Sequence, residues 1–130
     1  MCIRDSDAKN LVINIGSYEV NFNNALIQEK KLSPEAVKFD AINWLQQQPG
    51  VMYAVDMQNA QTASIPDWFK TRIINGYSRE HSGAIQIILK PGYYGGAQNA
   101  TGTTHGTWSP YDTHIPVSYT HLTLPTNREV

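Results

Sequence analysis

The sequence predicts an α+β fold: a small, mostly antiparallel sheet of about four strands with two helices on one face. Three observations lead there. An alternating apolar run turns back on itself, two helix-period stretches each open at a proline, and two further short apolar runs read as strands.

Taken in order, Leu11, Ile13 and Ile15 alternate with Val12 and Asn14, and Gly16-Ser17 turns the chain into Tyr18, Val20 and Phe22. That is the pattern of a β-hairpin. Residues 24–31 read as either a short helix or a loop. Ser33-Pro34-Glu35 opens a helix, because the hydroxyl can cap free amides and proline at the first helical position loses no hydrogen bond. Val37, Ala41, Trp44 and Leu45 then recur at helical spacing as the inward stripe, and Pro49-Gly50 stops the helix. Val51 to Asp56 reads as a strand. Ser64-Ile65-Pro66 opens a second helix in which Trp68, Phe69 and Ile73 face inward, ending near Gly76. Ile85, Ile87 and Leu89 mark the last strand, closed by Pro91-Gly92. These stripes are core positions with no cofactor role. The resulting ββ-α-β-α-β order is close to a ferredoxin-like module.

The two ends carry a different kind of signal. Met1-Cys2-Ile3-Arg4-Asp5-Ser6 permits the back-translation ATG TGT ATA AGA GAC AGN. Its reverse complement encodes Val-Ser-Tyr-Thr-His, which stands at Val117 to His121. The shared segment resembles the transposase end sequence used to tag sequencing libraries. Residues 1–6 and 117–130 are therefore expected to be translated adapter, excluded from fold reasoning. Residues 7–116 remain, enough for one domain with a modest core. Within them, 7–92 form the α+β subdomain and 93–116 a following segment.

Composition narrows the function classes. Cys2 is the only cysteine and lies in the adapter stretch, so residues 7–116 hold no disulfide and no thiolate metal site. Lys and Arg number 10 against 11 Asp and Glu, without a basic block, which argues against a nucleic-acid polymer as partner. No apolar run is long enough to span a bilayer.

After Lys90 the chain changes character. Gly, Thr, Asn, Tyr and Pro dominate 92–116 with little periodicity, as in a long functional loop. It holds Thr103-Thr104-His105-Gly106-Thr107-Trp108-Ser109-Pro110-Tyr111-Asp112-Thr113-His114-Ile115-Pro116. Here the sequence resembles the alkaline phosphatase superfamily, in particular its type I phosphodiesterase/nucleotide pyrophosphatase branch and the related bacterial phosphate-irrepressible alkaline phosphatases. Those enzymes carry a Thr-His-Gly-Ser/Thr-x-x-x-Tyr-Asp-x-His-x-Pro segment near the end of the catalytic domain. Thr107 stands where serine is common. Pro49-Gly50-Val51, Ile74-Asn75-Gly76-Tyr77 and Ser82-Gly83-Ala84-Ile85-Gln86 resemble the preceding segment more loosely.

The resemblance implies that His105 binds one of two catalytic zinc ions, in a larger α/β parent domain that hydrolyses phosphate esters in the periplasm or outside the cell. A two-metal phosphoryl-transfer site needs neutral imidazoles and carboxylates that fix each ion while leaving positions open. The family's nucleophile, its first aspartate ligand and its Asp-His pair lie upstream of this stretch. A fragment with one metal ligand is not expected to be active alone.

The remaining polar and aromatic residues have plainer readings. His114, Tyr111 and Asp112 suit hydrogen-bonded structural roles, with an Asp112–His114 metal pair the less favoured alternative. His81, between Glu80 and Ser82, reads as a solvated turn residue. Asn99-Ala100-Thr101 matches a glycosylation pattern by accident. Tyr93, Tyr94 and Trp108 could offer a stacking surface, although such aromatics more often pack on a neighbouring domain. Two alternatives to the hydrolase fragment stand: a non-catalytic α+β binding module that holds a ligand without zinc, and a structural subdomain that shapes the entrance of a parent active site.

Overall fold

The structure is a computed structural model that describes residues 10–95 and 107–113. The chain divides into two compact units after Ile88, slightly ahead of the Pro91-Gly92 break. The first unit begins with strands β1 (Val12–Gly16) and β2 (Glu19–Phe22) and a short helix α1 (Asn24–Glu29). Helix α2 (Pro34–Gln46), strand β3 (Val51–Asp56), a 3-10 turn (Met57–Thr62) and helix α3 (Asp67–Gly76) follow, and β4 (Ile85–Leu89) completes the sheet. Helix α4 (Pro110–Thr113) belongs to the second unit.

The sheet order is β1-β2-β4-β3, with β4, last in the chain, between β2 and β3. β1 pairs antiparallel with β2, and β2 with β4 through Glu19 opposite Gln86 and Val20 opposite Ile85. The Met57 amide donates to the Ala84 carbonyl at 3.0 Å. That bond joins the end of β3 to the start of β4, so this pair also runs antiparallel. A central strand is covered on both faces, which matches the apolar run at 85–89. Ile85 and Ile88 are 0% exposed. Gln86 is the polar exception, and its Nε2 donates to the carbonyls of Tyr18 and Ile87, both at 3.2 Å. A buried amide so satisfied escapes most of its desolvation cost.

The hairpin departs from the sequence reading in two ways. The turn is Ser17-Tyr18, with φ of 52° and 61°, the left-handed pair of a type I′ turn; Gly16 ends β1 opposite Glu19. A register shift between Val12 and Asn14 makes Ile13 a bulge residue. The regular Leu11/Ile13/Ile15 face therefore breaks, and Val12 stands opposite Phe22 while Ile15 stands opposite Val20. Leu11 is buried, but Ile13 and Ile15 are 64% and 60% exposed on the edge strand.

Residues 24–31 resolve to a helix with both ends secured. Asn23 caps it by accepting from the Leu26 amide. At the other end Leu32 N–H reaches Ile27 O and Lys31 N–H reaches Gln28 O, both at 3.0 Å. This is a Schellman closure, and Leu32 packs beside Ile27 in a cluster with Leu11 and Val37. Lys31 takes the left-handed position, φ 54°, where glycine is usual.

Ser33 caps α2 through Ala36 N, with Pro34 first in the helix, as the sequence indicates. Val37 and Leu45 are buried, whereas Trp44 is 60% exposed and does not belong to the core stripe. The second expected stripe is also corrected. Phe69 and Ile73 are buried in α3, while Trp68 stays largely outside, stacked on Phe69 at 3.7 Å with Arg72 over its ring. Its packing energy comes from these local contacts.

Two outcomes follow for chemical denaturation. Ile88→Ala lowers unfolding free energy by about 2–5 kcal/mol, because a buried cavity is added to the lost transfer energy. Lys31→Gly raises it by up to about 1 kcal/mol through relief of the left-handed backbone. Urea midpoints check both, and an unchanged midpoint for Ile88→Ala would contradict the central placement of β4.

Candidate functional site

The first unit contains a polar cavity of about 300 Å³ between the start of α2 and the loop that leads into β4. Phe22 and Ile27 supply its apolar surface, and Glu35, Lys38, Asn21, Asn24, Tyr77 and Arg79 its polar one. None of these residues forms a motif along the chain. Three separate segments meet only because β4 returns between β2 and β3.

The α2 wall is fixed by one carboxylate. Lys38 Nζ lies 3.0 Å from Asp56 Oδ2 and 3.3 Å from Gln58 Oε1. The two charged side chains keep only 11% and 21% of their surface exposed. Asp56 also accepts from the Gln58 amide at 3.1 Å and from Asn59 Nδ2 at 2.9 Å, capping the 3-10 turn. Burial pushes the Asp56 pKa up, but the bonds from Asn59, Lys38 and Gln58 and the Lys38 charge outweigh it. The net result lies below the usual 3.8.

The opposite wall is the loop carrying Tyr77 and Arg79. The Ser82 amide donates to Ser78 O at 2.8 Å, and the Ser78 amide to Ser82 Oγ at 2.9 Å. Beyond it the Gly83 amide donates to Glu19 Oε2 at 2.7 Å and the Ala84 amide to Val20 O at 2.8 Å. A Cβ on Gly83 would lie 2.8 Å from Val20 O and 2.9 Å from Glu19 Cβ, so the close approach to β2 requires glycine. His81 is exposed in this loop, in keeping with a turn residue.

In the second unit, Tyr93 and Tyr94 are exposed, and Ser109-Pro110 starts the one-turn helix α4 with Ser109 buried. The Thr113 amide donates to Ser109 O at 3.2 Å. Part of the stretch read as loop is thus helical. His105, His114 and Asn99 lie outside the described residues.

No protein-family model matches the chain. It is 37% identical over 112 residues to alkaline phosphatase PafA of Elizabethkingia meningoseptica, covering 86% of this chain and 20% of the relative. Alkaline phosphatase PhoV of Synechococcus elongatus is 40% identical over 101 residues, with 78% and 18% covered. A Myroides odoratus protein named calcium-transporting ATPase is 40% identical over 109 residues, with 84% and 20% covered. The crystal structure of wild-type PafA superposes with a TM-score of 0.74 at 35% identity, over 79% of this chain and 20% of that one. The chain belongs to the alkaline phosphatase superfamily.

It spans about one fifth of the curated relatives it matches. The four-stranded α+β sheet matches one part of the larger PafA fold. Among the described residues no three His, Cys, Asp or Glu side chains gather closely enough to hold a metal ion. Those residues by themselves do not make the ion site that the superfamily resemblance implies. No helix among them is long and apolar enough to cross a membrane.

Asp56→Asn should lower stability by about 1–3 kcal/mol at neutral pH, since Lys38 loses its buried partner. A carboxylate with a depressed folded pKa stabilises above its unfolded value and loses that contribution as pH falls through the folded one. The gap between wild type and Asp56→Asn in urea midpoint should therefore shrink in acid below 3.8. A gap that is the same at neutral and acid pH would overturn the assignment.

Proposed function

We propose that the chain is a portion of a zinc-dependent phosphate-ester hydrolase of alkaline phosphatase or phosphodiesterase type, periplasmic or secreted. In this reading residues 93–116 supply one metal ligand, His105, and the chain alone is inactive. Residues 1–6 and 117–130 are translated adapter. The observation that carries the reading is Thr104-His105-Gly106-Thr107, followed by Tyr111-Asp112-Thr113-His114-Ile115-Pro116, in a chain similar to two proteins named alkaline phosphatase. ATPase, the name of the third relative, shares with phosphatase the cleavage of a phosphate linkage.

The residue chemistry supports this assignment. A neutral imidazole is a good zinc ligand, and the adjoining Gly106 lets the backbone approach the ion closely. When bound, two zinc ions supply charge stabilisation to phosphoryl transfer. His105 contributes position and donor strength for one of them. Three protein ligands are the norm for catalytic zinc, so the partners of His105 belong to the rest of the parent protein.

A non-catalytic binding or structural role for residues 7–92 is the second reading. The polar cavity favours binding, and the uncovered aliphatic edge of β1 favours packing against more protein.

The deciding experiment recovers the complete reading frame and compares wild type with His105→Ala for bound zinc and p-nitrophenyl phosphate hydrolysis. The substitution should cut both by more than the roughly 10–100-fold that losing a hydrogen-bond partner of a metal ligand costs. The 130-residue chain should show no turnover with added zinc. Full zinc content and activity in His105→Ala, or turnover by the short chain, would sink the reading.

A further inference from the structure

We propose that the cavity between α2 and the Tyr77–Ala84 loop is a second ligand site, for a small molecule with an oxyanion head on a hydroxylated, sugar-sized body. The proposal does not rest on the zinc reading, because it is argued only from described residues of the first unit, none of which is a candidate ligand of the ion.

Which polar groups are already satisfied decides the ligand. Lys38 is held by Asp56 and Gln58, so its charge is cancelled and serves as a fixed strut. Arg79 lines the same cavity with no ion pair among the described residues, leaving a guanidinium able to take two oxygens of a phosphate or carboxylate. Around it stand the Asn24 carboxamide, the Tyr77 hydroxyl and the Glu35 carboxylate, whose Oε2 accepts only from Ser33 Oγ at 3.1 Å. Donors and acceptors interspersed over the apolar surface of Phe22 and Ile27 suit a hydroxylated ring.

The site is also built in advance. The Ser78–Ser82 exchange and the Gly83–Glu19 bond fasten the loop that carries Arg79, and the Asp56 hub fastens the α2 wall. Groups held before binding lose less freedom when a ligand arrives. A volume of about 300 Å³ meets the lower end of small-molecule sites, which fits a single ring and excludes a dinucleotide.

The test titrates the 15N-labelled 130-residue chain, with EDTA present, with glucose 6-phosphate, glucose and inorganic phosphate in turn. Glucose 6-phosphate should give saturable shifts at the amides of Asn24, Arg79 and Gly83, with either half alone binding at least about tenfold more weakly. Arg79→Gln, an exposed change that leaves the dispersed spectrum intact, should weaken the sugar phosphate about tenfold, and Arg79→Lys less. Equal binding of phosphate alone would overturn the hydroxylated part of the proposal. Glucose binding as well as the sugar phosphate, or indifference to Arg79→Gln, would overturn the anionic part. Absence of saturable shifts, or a collapsed spectrum showing no preformed cavity, would overturn the whole. Each of these failures leaves the His105 reading standing, because zinc is withheld throughout.

Discussion

The placement of β4 governs the rest of the first unit. A strand made last in sequence must pass between two strands already separated by α1 and α2, and it is accepted there because Ile85, Ile87 and Ile88 are buried with it. Its entry brings the loop before it against β2, where Gly83 fits and a larger residue would collide. Its pairing with the end of β3 sets Met57 beside Ala84, and so fixes where the 3-10 turn begins. The long-range pairings make the sheet a cooperative object with few local contacts to fall back on.

Around that strand the polar residues are arranged as fasteners. Asp56 ends β3, caps the 3-10 turn and holds Lys38 of α2, tying three elements with one carboxylate. Desolvation works against it, yet the surrounding donors win, which is why its acidity increases. Glu19 does comparable work on the other side by accepting from Gly83. The polar cavity lies between these two fastenings, so its walls are set by the same bonds that hold the sheet together.

The outer strand tells a different story. β1 leaves one backbone edge unpaired by any described strand and carries Val12, Ile13 and Ile15 to solvent, with a bulge that twists it locally. Proteins seldom leave an aliphatic edge uncovered. The chain spans one fifth of its alkaline phosphatase relatives, and in the proposed reading the rest of the parent protein covers that edge. Exposed Trp44 and Phe39 on α2 are open to the same explanation.

Much of the fold was legible from residues alone. Ser33-Pro34, Pro49-Gly50 and Pro91-Gly92 mark element ends through backbone chemistry that acts within a few residues, and β3 and β4 stood out as apolar runs. The string around His105, on which the proposed metal ligand rests, is likewise contiguous, and His105 lies outside the described residues. Three things were not legible. Trp44 and Trp68 have the spacing of core residues but sit at the stripe margins, where neighbouring elements decide burial. The hairpin turn and bulge depend on how two strands twist together, so Ser17-Tyr18 replaced Gly16-Ser17. The cavity draws Asn24, Lys38 and Arg79 from distant segments, and no local pattern encodes a meeting. Short-range stereochemistry was therefore written in the sequence, while strand order, burial at the margins and the second site arose only when distant segments competed for the same core.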